Sequence, residues 1–80
     1  MTDATVMYRI VYVNPETEEK LFWDGKTFTP KEAEAHNITE YAAARSFYEN
    51  ACEYGVKEYE CHPRHIIMEE LDGYTWVVKD

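Results

Sequence analysis

No apolar run in this 80-residue chain approaches the ~20 residues needed to span a membrane. The opening MTDATVMYRI has no basic stretch followed by an apolar one, so no signal peptide is expected. Cysteine is scarce as well. Two cysteines without a signal predict a reducing compartment, the cytoplasm of the cell that makes the protein. The three glycines each sit at an expected turn or helix end, which leaves no glycine-rich phosphate loop. There is no repeat, no low-complexity segment and no linker, so residues 1–80 are expected to form one domain. Basic residues are few: 8 Lys and Arg stand against 16 Asp and Glu, for a net charge of -8. That balance excludes ordinary nucleic-acid binding, which needs a basic face to displace counterions, and argues against docking on anionic lipid.

What is abundant is aromatic and β-branched. Seven Tyr, three Phe and two Trp within a 45% hydrophobic composition predict a packed globular domain. TVMYRIVYV (5–13) reads as a strand, with Tyr8, Ile10 and Tyr12 on one face. Met7, Arg9, Val11 and Val13 share the other, which Arg9 marks as the wetter face. Asn14-Pro15 starts a turn that exposes Glu16, Glu18 and Glu19, and Asp24-Gly25 is a two-residue hairpin signal. Thr29-Pro30-Lys31-Glu32 resembles a capping box opening a short helix of about two turns. The main helix is predicted from Asn37 or Thr39, with Tyr41, Ala44, Phe47, Tyr48, Ala51 and Cys52 on its apolar stripe and Gly55 as its stop. VKEYECH (56–62) alternates like a strand, and HIIMEE and YTWVVK form a closing hairpin around Asp72-Gly73. The expected class is α+β: an antiparallel sheet of about four to six short strands, in β-β-β-α-β-β-β order, packed on one main helix.

The stretch YECHPRHII is the one place where metal-binding residue types crowd together. Cys52, Cys61, His62 and His65 supply the number of ligands a structural zinc takes. Their spacing is wrong for it, because zinc ligands come as two close pairs and adjacent Cys61 and His62 on a strand would point apart. A Cys/His nucleophile would need a base, a cleft and an oxyanion donor. Both cysteines are therefore expected as small core residues, with no metal, cofactor or catalytic group. The carboxylate pairs Glu16/Glu18, Glu32/Glu34, Glu58/Glu60 and Glu69/Glu70 are expected on solvated faces.

A charge of -8 serves solubility in a small domain, and it also suits a surface complementary to something basic. So many Tyr cannot all be enclosed, and exposed Tyr is enriched in binding surfaces. The expected function is therefore a non-enzymatic acidic binding protein. Its expected partner is a larger protein with a basic, nucleic-acid-binding surface, met through Glu40, Glu49, Glu53, Tyr54, Glu58 and Glu60, the last two on a strand beside the helix. In size, charge and compactness the chain is similar to phage-encoded inhibitors, the anti-CRISPR and anti-restriction proteins that act in the host cytoplasm. The alternatives are an assembly module forming a homodimer through an open sheet edge, and a small zinc-stabilised domain.

Overall fold

The computed structural model describes residues 6–79, so Thr5, the first residue of the expected opening strand, lies outside the described residues. The elements are β1 (Tyr8–Val13), β2 (Lys20–Trp23), β3 (Phe28–Thr29), α1 (Tyr41–Tyr59), β4 (Ile66–Asp72) and β5 (Thr75–Val78). Short 3-10 turns at Glu32–Glu34 and Pro63–His65 precede α1 and β4. All five strands join one antiparallel sheet in the order β3-β2-β1-β4-β5, with α1 packed on one face. The class is α+β.

Turn chemistry sets the register. The Asn14 side-chain oxygen accepts the N–H groups of Glu16 and Thr17, Glu18 takes a left-handed φ of 64°, and the Asn14 N–H closes onto the Glu19 carbonyl. The next turn takes residues 24–27 rather than the Asp24-Gly25 pair alone. One Asp24 carboxylate oxygen accepts from both Lys26 and Thr27, which holds a longer loop closed while Gly25 adopts φ 106°. These N–H bonds, Thr27's first and then Lys26's, also hold the Asp24 carboxyl below the usual aspartate range. The last hairpin turns through Gly73 and Tyr74, with Asp72 paired to Thr75.

Three local expectations give way to tertiary contacts. The stretch after Pro30 makes only the 3-10 turn. Thr29 accepts the Lys31 N–H and donates to Glu34, while Glu32 turns away to Arg9 instead of completing a capping box. The main helix starts neither at Asn37 nor at Thr39, because Ile38 is held extended by two backbone hydrogen bonds to Tyr8 (2.7 and 2.8 Å). Glu40 is left as an N-cap without a side-chain hydrogen bond. At the other end, Gly55 does not stop the helix. α1 runs on to Tyr59, and Glu60 provides the left-handed cap (φ 55°), its N–H bonded to the Val56 carbonyl. The 56–62 stretch is thus helix and cap rather than a strand, and the order is β-β-β-α-β-β.

Gly55 serves contact instead of conformation. It is buried, and a Cβ there would sit 2.5 Å from Ile66 Cδ1 and 3.2 Å from Cys61 Sγ. Ala44 and Ala51, both fully buried, line the same approach of α1 onto Tyr8, Ile10 and Tyr12 of β1 and Ile66 and Met68 of β4. Tyr12, Trp23, Phe28, Tyr54 and Tyr59 close one end in edge and tilted ring contacts with centroids 5.0–6.1 Å apart.

Gly→Ala in a helix interior usually gains about 1 kcal/mol. Gly55→Ala is expected instead to lose about 1–2 kcal/mol in urea unfolding, because Ile66 is buried and cannot move aside freely. Ile66→Val deletes the clashing Cδ1, so the double variant should be more stable than the sum of the two single changes.

Candidate functional site

The acidic residues expected to meet a partner do not form one patch. α1 spans 19 residues, about 28 Å. Glu49 and Glu53 lie one turn apart, both exposed, on the side of the helix opposite the buried Ala44 and Ala51. Glu40 is exposed at the N-terminal end. Glu58, on the last helical turn and not on a strand, is rotated about 140° around the axis from Glu53. Glu60 is the left-handed cap. Tyr54 belongs to the aromatic cluster: its ring packs against Trp23, Phe28 and Tyr59, and its hydroxyl shares a hydrogen bond with Thr27 Oγ1 at 2.5 Å. Of the seven tyrosines, Tyr74 is fully exposed, and Tyr41 and Tyr59 are exposed by 45% and 40%.

YECHPRHII is a helix cap followed by a 3-10 turn. Pro63 opens the turn, and His62 Nδ1 accepts the Arg64 N–H at 3.1 Å. Cys61 points inward at Gly55 and Ile66, and Cys52 is half-buried beside the core. Both thiols are free, and burial pushes both up from the ordinary cysteine value, so they stay protonated at neutral pH and are poor nucleophiles and poor ligands. No three His, Cys, Asp or Glu side chains converge on a metal-sized site among the described residues. The stretch does line a shallow cleft with Tyr12, Asn14, Pro15, Glu16 and Tyr59. There Glu16 and Glu60 meet beside the stacked rings of Tyr12 and Tyr59, centroids 5.7 Å apart. The sequence separates Glu16 and Glu60 by most of its length, and only pairing of the first turn with the helix end brings them together.

The other sheet face carries a feature that runs against the reading of Arg9 as wet and Glu69 as solvated. Arg9 is 5% exposed and Glu69 2%. They are cross-strand partners on β1 and β4, with Arg9 Nε donating to Glu69 Oε1 at 2.7 Å. Arg9 Nη1 reaches Glu32 at 2.6 Å, and Lys20 Nζ reaches the second Glu69 oxygen at 3.2 Å. The guanidinium is held between the Phe22 ring (4.8 Å) and the Trp76 ring (4.2 Å). No α-helix among the described residues packs on this side of the sheet; the 3-10 turn reaches it through Glu32. The charged cluster, with fully buried Val11, forms the centre of this side. A signal for half of it exists: Arg9 is a single charge inside an otherwise apolar strand run, whereas Glu69 stands beside Glu70.

No protein family, characterised protein or solved structure matches the chain in these comparisons. No helix among the described residues is long and apolar enough to cross a membrane.

Removing one member of the pair strands the other charge in the sheet. Glu69→Gln and Arg9→Met should each cost about 3–5 kcal/mol in urea unfolding, whereas Arg9→Met combined with Glu69→Leu should recover most of that loss. Equal losses in the single and double variants would contradict the assignment.

Proposed function

We propose that the chain is a non-enzymatic binding protein whose acidic exterior occupies a basic, nucleic-acid-binding surface of a larger protein. The observation that carries this reading is the outer side of α1, where Glu49 and Glu53 stand exposed one turn apart among the small side chains of Ala42 and Ser46. Arg45 and Lys57 flank them, four residues before Glu49 and four after Glu53. Arg9 is spent inside the sheet on Glu69, so it does not offset them. Glu16 and Glu60 at the helix end extend the acidic surface. An inhibitor of the anti-CRISPR or anti-restriction kind, working in the host cytoplasm, would use such a surface to cover a groove built for phosphates.

The test is capture of DNA-binding proteins on the immobilised chain at low ionic strength. Bound partner should be displaced by excess duplex DNA and by salt raised toward about 1 M, where screening is effective within about 3 Å. Glu49→Lys with Glu53→Lys should weaken capture at least about tenfold while leaving the unfolding curve in place. A partner retained through both treatments would sink the reading.

A second reading, a homodimer, is favoured by β5. This strand is a sheet edge with Thr75, Val77 and Val78 exposed and neither proline nor charge within it. The opposite edge, β3, has only two residues and is followed by Pro30. Pairing of β5 with itself should give a dimer by sedimentation velocity at micromolar concentration, which Val77→Lys abolishes. A monomer at that concentration would discard it.

A further inference from the structure

The chain has only 8 basic residues, yet three of them, Arg45, Arg64 and Lys79, open onto a single groove with no carboxylate among its described lining residues. The groove exists because α1 lies over β1 and β4 and leaves β5 uncovered. Its floor is apolar: Ile66 and Met68 come from β4, and Val78, cross-strand from Glu69, borders it on β5. Tyr41 and Tyr48 of α1 form the opposite wall.

The cations are placed at its rim. Arg45 lies over the Tyr48 ring at 5.7 Å and Lys79 over the Tyr41 ring at 5.8 Å, contacts that hold flexible side chains toward the groove. Lys79 is shared with Glu70 at 3.7 Å, but neither Arg45 nor Arg64 makes an ion pair among the described residues. Two guanidiniums that make no ion pair among the described residues, above an apolar floor, make an environment for an amphipathic anion. Arg supplies a planar fork of donors that fits carboxylate and phosphate oxygens.

Size narrows the ligand. The cavity is about 260 Å³, whereas a benzene molecule fits an apolar cavity of about 150 Å³. That is room for one ring and its acid group.

We propose that this groove binds a small aromatic anion, a single ring bearing a carboxylate or a phosphate monoester. The ring would rest on Met68 between the tyrosines, and the acid group would meet Arg45 and Arg64. The outer acidic face begins one helical turn away, with Glu49 four residues after Arg45, but it rests on different side chains, so either reading can fail without the other.

The test is a titration of the ¹⁵N-labelled protein with phenyl phosphate and with phenylacetate, read by amide shifts. At least one probe should shift amides of residues 41–48, 64–68 and 78–79 saturably, with a Kd on the order of 1 mM or tighter. Benzyl alcohol and inorganic phosphate, each carrying half of the recognised chemistry, should bind at least about tenfold more weakly. Arg45→Gln with Arg64→Gln changes only exposed side chains, so the spectrum should otherwise persist while probe affinity falls about tenfold or more. The proposal is overturned if neither probe gives saturable shifts in these segments. It is equally overturned if benzyl alcohol or inorganic phosphate binds as well as the best probe, or if the double variant binds it unchanged.

Discussion

A guanidinium cannot be taken out of water unless its charge and its donors are met, and that requirement organises the side of this sheet away from α1. Arg9 lies on the central strand, so its partners must come from both flanks. Glu69 meets it from β4, Phe22 stacks from β2, Trp76 stacks from β5, and Glu32 reaches over from the 3-10 turn. One side chain thus ties four strands and a connection. A one-residue slip between β1 and β4 would remove Glu69 from its place opposite Arg9 and send the apolar sets to the wrong faces. The pair therefore contributes alignment as much as energy. It also lets a single layer of aromatic and aliphatic side chains exclude water on the face away from α1.

What was legible in the sequence was local. Asn14, Asp24 and Gly73 announce their turns because their own side chains or backbone freedom close them, and strand alternation gave the correct faces of β1. Misreadings arose where a distant residue decided. The helix start moved because Ile38 is tied to Tyr8, thirty positions away. Gly55 was read as a helix stop because glycine often takes positive φ at a C-terminus. Here its lack of a Cβ admits Ile66, and Glu60 takes the left-handed position instead. Arg9 looks wet on its charge alone, since its partner lies 60 residues on. Among the acidic residues, helical phase and charge make the exposure of Glu40, Glu49 and Glu53 legible, whereas Glu58 and Glu60 read as strand residues and are exposed on the helix end instead. Their separation into an outer face and two ends is not legible, because that depends on where the helix stops.

Charge is sorted across α1 by the same periodicity. Glu49 and Glu53 point away from the sheet, while Arg45 leans over Tyr48 toward the uncovered β5 side. An acidic molecule can in this way keep a local basic groove, because close cations over an apolar floor act at short range even with Glu49 one turn from Arg45, and carboxylates beyond about 10 Å are screened at moderate salt.

The position of β1 bears on how the chain reaches this state. The first strand is also the middle strand, flanked by β2 from the adjacent hairpin and by β4 from beyond the helix. The β1–β2–β3 meander can zip locally, but it presents half of its central strand and an unmatched Arg9 until residues 66–72 arrive. Closing that long loop is the entropically slow step. A nascent or unfolding chain therefore passes through a form with an open inner strand, which another extended segment could capture before β4 docks.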